Sequence, residues 1–165
     1  MTDTDMPHPR LSSSASVSIA APPEQVFDWV SDLPRMAGFS PECERCDWVD
    51  GPPATAGAMF KGFNRIGPFR WWTQGWVVTV DRPRTLVFRT SAGFGPRTFP
   101  VTEWTYTLEP IARGTRVSER VAILKLVRVA RRFPFLARLR VRHLRRGMAA
   151  TLESLRVDIE GGLSP

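Results

Sequence analysis

The residue pattern predicts an α+β protein, an antiparallel sheet with its helices gathered on one side. Three observations carry that expectation. An alternating segment near the start is followed by two short helical stretches. Five or six segments rich in β-forming residues then succeed one another with Gly- and Pro-containing breaks between them. Finally, apolar residues recur at three- and four-residue steps from Leu136 to Ile159, the spacing of one long amphipathic helix.

Each element has its own local signal. Residues 1–11, beginning Met-Thr-Asp-Thr-Asp-Met-Pro-His-Pro, are acidic and Pro-containing and are expected to form a disordered tail. Residues 13–20 alternate and predict a first strand. Pro22-Pro23-Glu24 opens a helix with proline in its first turn, and Val26, Phe27 and Val30 give that helix an apolar face. Asp32 to Gly38 ends it and begins a second, shorter one. Strands are expected at about 43–49, 57–66, 69–80, 84–90, 99–109 and 114–124. Their breaks are Asp50-Gly51-Pro52-Pro53, Gly67-Pro68, Asp81-Arg82-Pro83, Gly93-Phe94-Gly95-Pro96 and Ala112-Arg113-Gly114. In the closing helix Val141, Leu144, Met148, Leu152, Leu155 and Ile159 form the apolar stripe, with Phe133-Pro134 as the break before it. A strongly curved sheet gripping such a helix leaves a space between them.

The segment 60–80 is the most informative. Three of the six tryptophans lie between Trp71 and Trp76, beside a Gly67-Pro68 turn signal. A two-residue type II′ turn there, with Gly first, pairs Ile66 with Phe69, Asn64 with Trp71, Gly62 with Thr73 and Phe60 with Gly75. Directly paired residues share a face. One face then runs Phe60, Gly62, Asn64, Ile66, Phe69, Trp71, Thr73, Gly75, Val77 and has no charge, so it is expected inside. The other carries Lys61, Arg65 and Arg70 together with Phe63, Trp72 and Trp76, and is expected to meet water, its tryptophans stacking on cations.

Charge is unevenly placed. The net charge is +7, but residues 125–146 hold nine Lys or Arg and no acid, so the rest of the chain sums to −2. This is not the uniformly basic surface of a nucleic-acid-binding protein, and no nucleic-acid partner is expected. Of the 23 basic residues all but Lys61 and Lys125 are Arg, which is read as base composition rather than phosphate recognition. The 165 residues are enough for one domain with a substantial core, over residues 12–160. No membrane-spanning run and no basic, apolar leader are seen, so a cytoplasmic address is expected. Cys43 and Cys46 make a C-x-x-C, but only His8 and His143 are at hand to complete a zinc site. They are read as two unrelated thiols, and no metal or cofactor is expected.

Several stretches resemble one known superfamily. The opening Val17 to Asp32, Asn64-Arg65-Ile66-Gly67-Pro68-Phe69-Arg70-Trp71, Gly114-Thr115-Arg116-Val117 and the helix around Arg146-Gly147-Met148 are similar, in order and spacing, to START-like proteins of the polyketide cyclase/dehydrase and lipid transport type. The resemblance covers about residues 13–160. It implies a helix-grip fold, with a curved antiparallel sheet wrapped around the long C-terminal helix, two short helices after the first strand, and an apolar cavity between sheet and helix. Members include lipid carriers, receptors and aromatase/cyclases, so the fold does not fix the activity.

Candidate site residues are those expected to face that space. From the hairpin these are Phe60, Asn64, Trp71 and Thr73; from later strands Phe88, Trp104, Tyr106 and Glu119; from the closing helix Leu144 and Met148. Glu119 alternates with Val117, Val121 and Ile123, so a carboxylate sits on an apolar face and needs a partner or a raised pKa. Two arrangements fit. In one, Asn64, Tyr106 and Glu119 satisfy one another in a closed core; in the other they are the few polar groups of an apolar ligand site. His143 is expected on the helix surface or the cavity edge, and residues 91–100 with the Phe39 region at the mouth. No nucleophile elbow or phosphate loop is present, and no catalytic residue is assigned.

The function expected is binding of a small hydrophobic molecule by a carrier, sensor or accessory protein. The resemblance also admits a cofactor-free cyclase/dehydratase, with Tyr106 or Glu119 moving protons and Asn64 holding a carbonyl oxygen. A third reading is a lipid-handling protein that touches anionic membrane through residues 125–146, with Val127, Phe133, Phe135 and Leu136 inserted.

Overall fold

The computed structural model describes residues 11–92, 100–124 and 134–162. The elements run β1 (Ser12–Ile19), α1 (Pro23–Ser31), α2 (Leu33–Ala37), β2 (Cys43–Asp50), β3 (Met59–Ile66), β4 (Phe69–Asp81), β5 (Thr85–Ala92), β6 (Pro100–Ile111), β7 (Gly114–Ile123) and α3 (Pro134–Gly161). The seven strands form one antiparallel sheet in the order β1-β7-β6-β5-β4-β3-β2. β1 and β2 therefore occupy opposite edges. The chain crosses from one to the other through α1 and α2, then meanders back until β7 lies beside β1. This is the helix-grip architecture expected from the resemblance.

Curvature comes from local irregularity. Register shifts interrupt the pairing at Cys43/Arg45, Trp48/Asp50, Val77/Thr79 and Thr90/Ser91. An extra residue on one strand bends it and increases its twist, which wraps the sheet toward α3. Proline in the first turn starts α1, which buries Val26, Phe27 and Val30. The Asp32 side chain accepts from the Arg35 backbone N–H at 3.3 Å and caps α2.

The stripe on α3 faces inward as its spacing requires: Leu144, Met148, Leu152, Leu155 and Ile159 are all buried, while Val141 is only half-buried. Each such side chain, fully buried, contributes about 1.5–3 kcal/mol. The core is divided, however. Leu152, Leu155 and Ile159 join the main cluster with Phe27, Val30, Leu86 and Val117. Leu144 and Met148 belong to a small separate cluster with Val121. Sheet and helix thus share the main core at one end and touch through only this small cluster at the other.

Candidate functional site

The hairpin of β3 and β4 forms in the register that its turn dictates. Ile66 pairs with Phe69, Asn64 with Trp71, Gly62 with Thr73 and Phe60 with Gly75. Gly67 takes φ +57°, as the first turn position requires. The uncharged face points into the concave side of the sheet along most of its length. Its tip is poorly covered: Ile66 still borders the concave space but is 37% exposed, and Phe69 is 74% exposed. The expectation that the whole face lies inside is corrected there, because the last pair of the hairpin has no buried neighbour to cover it. On the outer face, the Lys61 ammonium lies 4.4 Å from the Trp72 ring centre and the Arg45 guanidinium 4.2 Å from that of Phe63.

A close approach at Gly75 shapes the interior. A Cβ there would overlap the Phe60 ring, so only glycine lets Phe60 lie across β4. Phe60 then meets Trp48 at 6.0 Å and Phe88 at 5.4 Å, both edge to face. Phe88 in turn lies 6.2 Å from Trp104 and 6.3 Å from Tyr106. The concave face is an arc of aromatic rings, each pair in a favourable offset or edge contact.

Between this arc and α3 lies a cavity of about 680 Å³. All ten residues selected from sequence line it: Phe60, Asn64, Trp71 and Thr73 from the hairpin, Phe88, Trp104, Tyr106 and Glu119 from β5 to β7, and Leu144 and Met148 from α3. The closed-core arrangement does not form, because Asn64 does not join the other two polar groups. Its Nδ2 donates instead to Thr73 Oγ1 and Gly62 O, both at 3.4 Å.

The floor is the pair Tyr106 and Glu119, directly opposite each other on β6 and β7. The Tyr106 hydroxyl donates to Glu119 Oε1 at 2.7 Å. Glu119 is 4% exposed, and its Oε2 has no hydrogen-bond partner among the described residues. Burial pushes this carboxyl up to about 7, against the opposing effect of the Tyr106 hydrogen bond. Burial, and secondarily the neighbouring Glu119, hold the Tyr106 phenol well above its ordinary value.

The rim is charged. Arg140 of α3 grips both carboxylate oxygens of Glu42, with Nη1 to Oε2 at 2.6 Å and a second bond from Nη2 to Oε1. His143 Nε2 lies 3.5 Å from Glu42 Oε2, which places this histidine at the cavity edge. The Arg140 guanidinium also sits 5.9 Å from the Trp71 ring centre. Four groups from three places, α3, β4 and the segment before β2, thus meet at the rim. The expected mouth is met in part. Ser91 and, beside Phe39, Ser40, Pro41 and Glu42 line the cavity, while Phe39 itself turns away and packs at 6.1 Å from Trp29. Residues 93–99, the rest of the expected mouth, lie outside the described residues.

Two wall residues were legible only as unrelated thiols. Strict alternation puts Cys43 and Cys46 on opposite faces, but the register shift after Cys43 places them against Asn64 and Gly62, which share a face. Both line the cavity as free thiols. Burial raises Cys43 and pushes Cys46 up to about 12, so both are protonated wall groups. No sequence signal marks that bulge. Among the described residues no group of His, Cys, Asp and Glu is arranged to hold a metal ion, and no helix is long and apolar enough to cross a membrane.

Comparison with known proteins agrees with this geometry. The family described as polyketide cyclase / dehydrase and lipid transport matches residues 10–160. No curated protein matches. Among solved structures, the Polyketide_cyc-like protein Cgl2372 of Corynebacterium glutamicum is 26% identical, with a TM-score of 0.60 over 93% of this chain and 94% of that one. TTHA0849 of Thermus thermophilus is 19% identical, with a TM-score of 0.69 over 93% and 99%. The di-domain ARO/CYC StfQ of the steffimycin biosynthetic pathway is 11% identical, with a TM-score of 0.70 over 93% of this chain and 52% of that protein. The last two show a shared fold alone. With fold, cavity and match in agreement over most of its length, the chain belongs to the START-like polyketide cyclase / dehydrase and lipid transport family.

Proposed function

We propose that residues 12–160 form one ligand-binding domain that holds a small hydrophobic molecule, a lipid, polyketide or other aromatic metabolite, as a carrier, sensor or accessory protein. The observation that carries this reading is the cavity of about 680 Å³. It has the size of ligand pockets, about 300–1,000 Å³, and their composition, mostly apolar with a few placed polar groups. The ten residues named above are the proposed ligand contacts. Native mass spectrometry of the purified protein, set against its denatured mass, tests the proposal. A co-purified apolar molecule, or uptake of an added apolar dye with unit stoichiometry, is expected. A protein that carries nothing and takes up no apolar probe would rule the reading out.

One observation favours a second reading, a cofactor-free cyclase or dehydratase. A buried carboxyl shifted to about 7 exchanges protons near neutral pH, as a general acid–base requires. Turnover of a poly-β-ketone by the wild type, lost in Glu119→Gln, is the supporting result. A third reading is docking on anionic membrane. Phe135 and Leu139 are each 56% exposed at the start of α3, among exposed Arg138, Arg142, Arg145 and Arg146, as interfacial helices require; residues 125–133, with Val127 and Phe133, and the side chain of Leu136 lie outside what is described. Salt-sensitive binding to phosphatidylserine vesicles, lost when Arg138, Arg142, Arg145 and Arg146 are changed to Glu, supports docking, and salt-independent or absent binding excludes it.

A further inference from the structure

We propose that the cavity takes its ligand end-on, selecting an apolar molecule whose buried end carries a hydroxyl or phenol that donates a hydrogen bond to Glu119 Oε2. This rests on the ligand-binding reading and specifies the class of ligand. Glu119 Oε2 is a buried acceptor without a partner among the described residues, on a residue that lines the cavity. The neighbouring donor is already committed, since the Tyr106 hydroxyl gives its proton to Oε1. The neighbouring wall supplies no competing charge: Ala15 of β1 stands opposite Glu119 in the sheet, and the apolar Phe88, Leu144 and Met148 line the same cavity. A ligand donor completes the carboxylate's hydrogen bonds, whereas an apolar end of the same shape leaves an acceptor unmet in a dry site, which is the arrangement that discriminates most strongly between isosteres.

The selectivity is coupled to protonation. A ligand donor favours ionised Glu119, so binding of a hydroxylated molecule strengthens as pH rises through the titration of this carboxyl, which lies near 7. The other titratable groups around the cavity are Tyr106 on β6, Cys43 and Cys46 on β2, Glu42 before it, and Arg140 and His143 on α3. Glu119→Gln separates their contribution from that of Glu119.

Two isosteric probes, β-naphthol and β-methylnaphthalene, test the proposal by isothermal titration calorimetry against the full chain. The wild type is expected to prefer β-naphthol by about tenfold or more near pH 8, and by less near pH 5.5. Glu119→Leu is expected to abolish the preference, and Glu119→Gln to remove its pH dependence. Should the leucine variant fail to fold, the glutamine variant and the wild-type pH profile still decide. Equal affinities in the wild type near pH 8, a preference that survives Glu119→Leu, or an unchanged pH profile in Glu119→Gln overturns the inference while leaving the cavity reading intact. Failure of both probes to bind overturns the cavity reading and this one with it.

Discussion

From Thr151 onward α3 lies hard against the rest of the molecule, whereas from Phe135 to Gly147 it stands off. In the C-terminal half, Leu152, Leu155 and Ile159 are at most 1% exposed. Arg156 bridges Glu153 and Glu160 along the helix, Glu160 accepts from the Ala20 backbone N–H at 3.0 Å, and Asp158 reaches Arg35 at 3.6 Å. In the N-terminal half only Leu144 is buried among the described side chains. Arg138, Arg142, Arg145 and Arg146 are exposed and have no acidic partner among the described residues. One continuous helix thus supplies stability at one end and a cavity wall at the other. The lesson is that a protein can keep a large void if the cost of unfilled contacts is confined to part of an element whose remainder is tightly packed.

The largest expected effect tests that division directly. Leu155→Ala removes a side chain that is 0% exposed in the main cluster and should cost about 2–5 kcal/mol in urea unfolding. Leu144→Ala, in the small cluster beside the cavity, should cost close to the lower end of that range, about 2 kcal/mol, while enlarging the site for bulkier ligands. Equal losses would mean that the two halves are packed alike.

Next in size is the pH dependence of the floor. Glu119 rises from an ordinary value of 4.5 to about 7 on folding. The folded state holds its proton more tightly than the unfolded state, so the stability contribution is fully present below 4.5, declines as pH rises, and levels off above 7. Relative to Glu119→Gln, the wild type should lose up to ~3 kcal/mol across that window. Parallel stability profiles for the two proteins, measured by urea unfolding at each pH, would show that the carboxyl is not desolvated.

The packed stripe and the cavity wall were easier to read in the sequence than the rim. Leu152, Leu155 and Ile159 announce themselves by periodicity, and Gly67-Pro68 fixes the hairpin register and therefore the inward set Phe60, Asn64, Trp71 and Thr73. The solitary charge in the series Val117, Glu119, Val121 marks the floor for the same reason. The rim was not legible. Glu42 is one acid among many, and its meeting with Arg140 joins residues 98 positions apart, which no local pattern encodes. Cys43 and Cys46 share a wall because of a bulge that depends on the neighbouring strand, and the exposed tip at Phe69 depends on where the covering elements end.

Gly75→Ala sharpens the comparison from the sheet side. The added methyl meets the Phe60 ring at a distance that forces it aside, and such overpacking costs about 1–3 kcal/mol. The displaced ring has the cavity to move into, so the variant should fold with weaker affinity for an apolar dye. Full retention of dye affinity, with a crystal structure showing Phe60 unmoved, would exclude Phe60 as part of the ligand-facing wall.

Arg140→Ala has the smallest expected effect on stability and the most local one on function. Its pair with Glu42 is half-exposed on the arginine side, at 37%, and better covered on the glutamate side, at 17%. Pairs of this kind contribute about 1 kcal/mol or less, and less again as salt rises. Yet this contact holds the loose half of α3 to the segment before β2 and to Trp71, across the mouth of the cavity. Its loss should leave the urea midpoint nearly unchanged and speed the release of a bound apolar dye, in stopped-flow displacement, by up to about fivefold, the equivalent of that pair energy. Added salt should accelerate release from the wild type and leave the variant unaffected. A variant that loses stability as Leu155→Ala does, with unaltered release, would place Arg140 in the tightly packed part of the molecule and erase the distinction between the two halves of the helix.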